Sequence, residues 1–383
     1  MASQQYTYIQ RLKQLVKLPS VSSTDARWDM SNRAVVDMLA EWFTSLGFNC
    51  QVVPIPHLTG KFNLIAQRGS GAAGLVLAGH TDTVPCNPER WAQDPFSLTE
   101  RDGRLYGLGA TDMKGFFPCI LAAVEQLQDS AFKQPLIVLA TADEESTMSG
   151  ARALQKQGFP AARAAIIGEP TGLQPIRMHK GILLHSIEVI GQAGHSSNPN
   201  LGNSALEAMH SVTTELLAFR TELQHRYNNP SFSFPKPSLN LGCIHGGDNP
   251  NRICGRCELL FDLRPLPGMN SRALKDELTQ RLIPIAARTQ TQINLKELSA
   301  GIEPFEERAD SELVQQVEIW NGQQAGAVNF ATEAPFLQQL GMQTLVCGPG
   351  YIDQAHQPDE YIPLEHIPLT VDFLVKAIGH YCL

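Results

Sequence analysis

The chain has 383 residues, 43% apolar and 18% charged, with 30 basic against 38 acidic side chains and a net charge of −8. At roughly 150 residues per domain this is enough for about two packed cores, and the composition excludes a disordered chain. The acidic balance repels phosphate backbones and argues against a nucleic-acid partner, while the most apolar run, 115–124, contains Pro118 and is shorter than the roughly 18 residues a membrane span needs.

The N-terminal segment carries Arg11, Lys13 and Lys17 without the apolar stretch of a secretory signal, so the expected location is the cytoplasm. Residues 9–17 read as a first helix. Residues 31–46 give a clearer one: Ala34, Val35, Met38, Leu39, Trp42 and Phe43 recur at helical spacing, and Gly47 ends it. Strand-like segments follow at 50–54, 63–67 and 74–78. A helix at 115–127, a strand at 136–141, a helix at 149–157 and a strand at 164–168 come next. This alternation predicts an α/β sheet with helices on both faces.

The texture then changes. Residues 182–190 alternate like a half-exposed strand, 206–223 form a long helix, and 238–244 and 253–263 again read as strands. A helix at 270–282 and a strand at 292–298 complete an open-faced α+β domain. From about 300 the α/β texture returns, with helices at 311–322 and 367–381 around a strand at 344–347. The expected organisation is a catalytic domain of residues 1–180 and 299–383 interrupted by an inserted domain of 181–298.

Eight cysteines are scattered along the chain, too few for a disulfide scaffold of this length. Cys254-Gly-Arg-Cys257 has no second ligand pair at zinc-site spacing, so it reads as a strand carrying two small residues. Gly69-Ser-Gly-Ala-Ala-Gly74 matches G-x-G-x-x-G, but the strand-like Leu75-Val-Leu-Ala78 follows it where a dinucleotide loop needs a helix. Neither a G-x-S-x-G elbow nor H-E-x-x-H occurs.

Acidic and histidine residues stand where strands end. Leu75-Val-Leu-Ala-Gly runs into His80-Thr81-Asp82, Leu136-Ile-Val-Leu-Ala-Thr-Ala into Asp143-Glu144-Glu145, and Ala164-Ala-Ile-Ile-Gly into Glu169-Pro170. Open α/β sheets bind ligands outside the carboxyl ends of their strands. Asp112 adds a fourth carboxylate in the glycine-rich Gly107-Leu-Gly-Ala-Thr-Asp112-Met-Lys-Gly115. Taken singly, each is an ordinary solvated turn or a satisfied polar group; their joint placement points to metal. Crowded carboxylates resist ionising together. Divalent cations relieve that repulsion, imidazole with carboxylate suits zinc, and one carboxylate can bridge two ions. Glu145 and Glu144 then divide the work, one on a metal and one as general base. Asp82 is placed to receive the second N–H of a ligating His80.

These residues resemble the di-zinc aminoacylase/carboxypeptidase family. The motifs are Gly79-His-Thr-Asp-Thr-Val-Pro85, the Asp112 loop, Thr141-Ala-Asp-Glu-Glu145, Gly168-Glu-Pro-Thr171 and Gln354-Ala-His-Gln-Pro-Asp359. They span nearly the whole chain. The resemblance implies a zinc-peptidase-like catalytic domain, with a central mixed sheet flanked by helices, and an inserted α+β lid that also dimerises. It implies two zinc ions per subunit, with cobalt able to substitute: His80 and Glu169 on one, Glu145 and His356 on the other, Asp112 bridging. It further implies that Glu144 is the base, that Asp82 orients His80, and that the peptide after Asp112 is cis. Gly194-His195-Ser196 resembles a motif whose histidine stabilises the oxyanion, often in the partner subunit's site. Asn251-Arg252-Ile253 resembles one whose arginine grips the substrate carboxylate; read as residues alone, these are a loop histidine and a surface arginine.

Three further segments, 239–248, 328–335 and 348–361, look most like the branch of the family that deacetylates N-acetylornithine. Glu333 would there meet the cationic side chain of the substrate. The expected reaction is attack of zinc-activated water on an N-acyl amide of a small amino acid. Succinyl-diaminopimelate, another N-acyl amino acid or a dipeptide are the alternatives. A metal-binding regulator without activity would lack a base or a ligand, whereas Glu144 and the five implied ligands are all present. No nucleic-acid or membrane partner is expected.

Overall fold

The computed structural model of the chain describes residues 2–157, 159 and 162–383. Two compact units emerge: Met1–Arg177, Glu307–Gly326 and Thr332–Leu383 form the first, Met178–Glu306 and Ala327–Ala331 the second.

The first unit starts with helices α1 (Ala2–Val16) and α2 (Arg33–Ser45), then strands β1 (Asn49–Pro54), β2 (Phe62–Arg68), β3 (Leu75–His80), β4 (Thr99–Arg101) and β5 (Arg104–Tyr106). Helix α3 (Phe116–Gln126), β6 (Leu136–Thr141), α4 (Ser149–Gln157) and β7 (Ala164–Pro170) follow, and β8 (Ile176–His179) begins in the first unit and ends in the second. The second unit holds β9 (Leu183–Ile190), α5 (Ala205–Arg226), β10 (Ser238–Gly246), β11 (Arg256–Arg264), α6 (Ser271–Thr289), β12 (Gln292–Glu297) and β13 (Phe305–Glu306). The return path is α7 (Glu312–Asn321), β14 (Gly326–Val328), α8 (Ala334–Gln339), β15 (Gln343–Gly348), β16 (Tyr361–Pro363) and α9 (His366–Cys382).

The main sheet of the first unit runs β1-β2-β6-β3-β7-β15-β8. Pairings β6–β3, β3–β7 and β7–β15 are parallel, while β1–β2 and β2–β6 are antiparallel, so the sheet is mixed. Every residue of β3, β6 and β7 is buried. Their uninterrupted apolar runs require this, because a parallel strand is covered on both faces. Helix α3 is buried without a break from Phe116 to Val124 and packs against α1 and α9. A helix apolar all round belongs inside a protein. Gly168 on β7 permits its approach, since a Cβ there would sit 2.2 Å from the Phe116 ring. Because β3, β6 and β7 are parallel, their carboxyl ends open on one edge, and the site is built there.

In the second unit an antiparallel sheet runs β10-β11-β9-β12. Strand β11 points Cys257, Leu259, Phe261 and Leu263 inward on alternate positions. Helix α5 buries Ala205, Ala208, Met209, Val212, Leu216, Phe219 and Leu223, a stripe at helical spacing that joins the same core.

Several boundaries differ from the sequence expectation, among them the first helix, which begins at Ala2 rather than at residue 9. Helix α6 continues past 282 through Pro284 to Thr289. The proline removes one backbone bond, but Leu278, Leu282 and Ile285 are buried on a common face, and that burial carries the helix onward. The strand expected at 253–263 begins at Arg256, so Cys254 lies outside it. The Ile253 N–H donates to the Gly194 carbonyl at 2.8 Å, which holds this stretch to another loop, and the Cys254 thiol meets the Arg256 carbonyl at 3.1 Å. The G-x-G-x-x-G segment leads into β3, as its strand-like sequel predicts. Among the described residues no helix is long and apolar enough to cross a membrane.

Candidate metal centre

His80 closes β3, and its Nε2 lies 3.0 Å from Oδ1 of Asp112 and 3.8 Å from Oε1 of Glu169, the next-to-last residue of β7. The other Asp112 oxygen, Oδ2, stands 3.3 Å from Nε2 of His356. That same nitrogen is 2.9 Å from Oε2 of Glu145. Asp112 therefore turns one carboxylate oxygen towards each imidazole. His80, Glu144 and Glu169 bring ligand atoms within 4.8 Å of one another, and so do His80, Asp112 and Glu145. His80, Asp112 and Glu169 are buried, whereas His356 is exposed. The Oε1 of Glu145 is buried and has no partner. The peptide from Asp112 to Met113 is cis.

Electrostatics explain why this donor set suits cations. Burial raises the carboxyl groups of Glu144 and Glu169, and Glu144 is further raised by the Glu169 charge. Burial and the Asp112 charge push Glu145 up to about 7. Burial pushes Asp112 up as well, but hydrogen bonds with His356 and His80 outweigh it and bring the group below its ordinary range. His356, bonded to Asp112 and Glu145, is pushed up to about 10. Burial opposes an imidazolium at His80, yet the Asp112 bond and the charges of Glu169, Asp112 and Glu144 raise it. Without divalent ions, protonated imidazoles and protonated carboxyls must carry the balance that metal would supply. The set of one buried imidazole, one exposed imidazole and four carboxylates thus fits two divalent cations of the zinc type.

A supporting layer fixes these groups. The His80 Nδ1 lies 2.9 Å from the backbone carbonyl of Asp82, while the Asp82 carboxylate is 3.8 Å away. The carbonyl therefore stands where a carboxylate partner was expected; Oδ1 of Asp82 is buried without a partner, and its Oδ2 accepts the Glu145 N–H at 3.1 Å. Asp82 thus anchors the Glu145 backbone. The turn after β6 is not a solvated one. Asp143 accepts from Ser22 at 2.8 Å and Ser146 at 2.6 Å, and also bonds Thr147, while Asn63 accepts the Ala142 N–H at 3.1 Å.

Glu333 lies in the loop just before α8 and is 2% exposed. Its Oε2 accepts from the Thr141 hydroxyl at 2.9 Å, its Oε1 is buried without a partner, and burial pushes the group up to about 7. In the second unit, His195 and Arg252 pair through their backbones. The His195 Nδ1 is 2.7 Å from the Ser197 hydroxyl, Arg252 donates to Asp248 at 2.6 Å, and the Asn251 carbonyl accepts the Ser196 N–H at 3.1 Å. All three side chains are exposed, or nearly so, on adjoining loops. Glu360, whose carboxylate holds the Asp112 loop, had no role in the sequence reading. Its signal was its place four residues after His356, one residue beyond the 354–359 motif and within the 348–361 segment.

Residues 76–380 match the family described as Peptidase family M20/M25/M40. The chain is 48% identical over 377 residues to an acetylornithine deacetylase from Proteus mirabilis, covering 98% of this chain and 97% of that protein. In structure it resembles the aminopeptidase PepT of Bacillus cereus, with a TM-score of 0.79 at 18% identity over 98% of both chains. It also resembles the YXEP protein of Bacillus subtilis, described as a dinuclear metal binding peptidase, with a TM-score of 0.71 at 13% identity over 100% of this chain and 99% of that one. By sequence match along most of its length and by the architecture of its sheet, the chain belongs to peptidase family M20/M25/M40.

Proposed function

We propose that the protein is a di-zinc amidohydrolase that releases acetate and L-ornithine from N2-acetyl-L-ornithine, a step of arginine biosynthesis, and that cobalt can replace zinc. The observation that carries this reading is the sharing of Asp112 between two imidazoles, with Oδ1 3.0 Å from His80 and Oδ2 3.3 Å from His356. A carboxylate so placed is suited to bridge two ions. His80 with Glu169 would hold one, and His356 with Glu145 the other. The acetylated substrate is inferred from relatives such as that of Proteus mirabilis.

When bound, the metal pair supplies a Lewis acid for the acyl carbonyl and lowers the pKa of water at the site. Glu144 is left over by that ligand assignment. It takes a proton from the attacking water as the oxygen adds to the acetyl carbon. It then gives the proton to the departing nitrogen as the C–N bond breaks. Burial and neighbouring carboxylates raise Glu144 from its ordinary range, the direction a proton carrier near neutrality needs. Glu333, with its unpartnered Oε1, is the carboxylate proposed to meet the cationic side chain of the substrate. Selectivity for an ornithine-type side chain unchanged in Glu333→Gln would exclude that role.

Resemblance alone supports the remaining assignments. His195 would stabilise the oxyanion in its own or the partner's site, and Arg252 with Asn251 would bind the substrate carboxylate. Residues 181–298 would act as lid and homodimer contact, and the enzyme would work in the cytoplasm on a small N-acyl amino acid.

The test is an assay of purified protein on N-acetyl-L-ornithine, with and without added zinc or cobalt, beside Glu144→Ala. Metal-dependent acetate release that collapses in the variant is the expected result. Metal-dependent cleavage of succinyl-diaminopimelate or a dipeptide, with acetylornithine left intact, would overturn the substrate. Activity retained in Glu144→Ala would overturn the assignment of the base.

A further inference from the structure

Asp112 stands in a loop without regular structure, between β5 and α3. Something must hold its backbone if its two oxygens are to face two imidazoles. The loop cannot use a sheet ladder for this, and a buried N–H left without an acceptor is costly. One residue takes four of the loop's donors. The Glu360 backbone carbonyl accepts the Gly107 N–H at 3.0 Å. Its carboxylate accepts the N–H of Gly109 at 3.0 Å through Oε2, and those of Thr111 at 2.7 Å and Asp112 at 3.0 Å through Oε1. Glu360 is 1% exposed. The loop is curled around it: Gly109 has φ +76°, in the left-handed region that glycine adopts readily. Successive N–H groups so directed form a concavity that selects an acceptor, and here the acceptor is a side chain of the same chain, whose carboxyl is pushed up to about 8 by burial and the Asp112 charge against the lowering effect of these N–H bonds.

The carboxylate reaches the loop because its own segment is fixed twice. After it, β16 pairs with β5 through Tyr361↔Tyr106 and Ile362↔Leu105. Before it, residues 356–359 form a tight loop in which His356 and Asp359 have φ +59° and +58°. One stretch of chain therefore carries both His356, which faces Oδ2 of Asp112, and the carboxylate that grips the Asp112 N–H. A shift of either would move the aspartate relative to both imidazoles.

We infer that Glu360 is a positioning residue of the metal centre: its carboxylate, through the N–H groups of Gly109, Thr111 and Asp112, holds the Asp112 loop in the geometry that lets one aspartate serve two ions. The inference rests on Asp112 being a shared ligand. A purely structural role would cost stability alone; a positioning role changes how the site receives metal. Glu360→Gln is the informative change, since the amide keeps the shape but replaces an accepting oxygen with an NH2 that confronts the loop donors.

The experiment compares wild-type and Glu360→Gln proteins prepared without metal and then titrated with cobalt(II). Visible absorption reports ligand geometry, chelator competition reports affinity, and thermal melting with and without the ion reports the metal-induced rise in Tm. The expected variant folds, binds cobalt roughly 10- to 100-fold more weakly, shows an altered absorption spectrum and a smaller rise in Tm. Its kcat on the acylated substrate falls while KM stays near the wild-type value. A variant that binds cobalt with wild-type affinity and spectrum, whatever its Tm, would overturn the inference. So would one that cannot fold before metal is added, because the carboxylate would then serve the fold itself. Failure of the wild-type protein to bind cobalt would instead remove the metal reading on which the inference stands.

Discussion

Nε2 of His356 lies 2.9 Å from Oε2 of Glu145, although 211 residues separate them in the chain. The bond holds the imidazole in its charged form, pushed up to about 10 by Asp112 and Glu145, while Glu145 is pushed up to about 7 by burial and the Asp112 charge. At neutral pH the apoprotein therefore carries protons where the proposed divalent ion would bind, and metal entry would expel them. Calorimetric titration with zinc in buffers of different ionisation enthalpy should show at least one proton released per chain near pH 7. A binding enthalpy independent of buffer would contradict this account of the site.

Asp82 reaches two of the proposed metal ligands by two routes, its carbonyl near His80 Nδ1 and its carboxylate on the Glu145 N–H. Asp82→Ala removes the second and keeps the first. The variant should remain folded, bind metal roughly 10- to 100-fold more weakly and lose activity that excess metal partly restores. Equal metal affinity in the two proteins would show that Glu145 needs no such anchor.

Gly168→Ala tests the contact between β7 and α3. A methyl group there would stand 2.2 Å from the Phe116 ring, and both residues lie in the buried core. Forcing extra volume into a packed core costs about 1–3 kcal/mol, so denaturant unfolding should show a loss of that size. Combining it with Phe116→Leu should recover part of the loss, because the ring is what the methyl group meets. A double variant no more stable than Gly168→Ala would refute the steric explanation.

His179 supplies a prediction in pH. Burial lowers its imidazole to about 4 from an ordinary 6.5. Above pH 6.5 the group is neutral in folded and unfolded chains and adds no pH dependence. As pH falls from 6.5 towards 4, the unfolded chain takes up a proton that the folded one refuses, so stability declines. The decline reaches about 2 kcal/mol by pH 5. His179→Asn keeps a donor for the Lys180 carbonyl but does not titrate. The stability difference between pH 7 and pH 5 should therefore be smaller in the variant, and an equal difference would rule the histidine out as its source.

Much of the fold is legible because its central strands are extreme. Runs such as Leu136-Ile-Val-Leu-Ala are apolar without interruption, and such a strand must be covered on both faces. Helix α2, with Val35, Val36, Leu39 and Phe43 buried, shows its inward stripe in its spacing. The elements the sequence left unnamed are short. Strands β4, β5 and β16 contain three residues each, too few to show a period, and they exist because they pair with one another. Helix α6 passes Pro284 because burial outweighs a local rule, which no local reading can weigh.

The same division runs through the candidate site. Local sequence established that His80, Glu144, Glu145 and Glu169 follow apolar strands, since hydrophobic runs ending in acids are a property of consecutive residues. Resemblance of motifs added His356, which no periodicity marks. Tertiary structure decided the rest: that Asp112 turns one oxygen to each histidine, that the Asp82 carboxylate serves the Glu145 backbone while its carbonyl meets His80, that Glu333 is buried on Thr141, and that Glu360 grips the loop. Apart from the His80–Asp82 pair, each of these is a contact between residues distant in sequence. Composition and spacing determine what a segment can bury or ionise, whereas the pairing of strands across the chain determines which groups those segments finally meet.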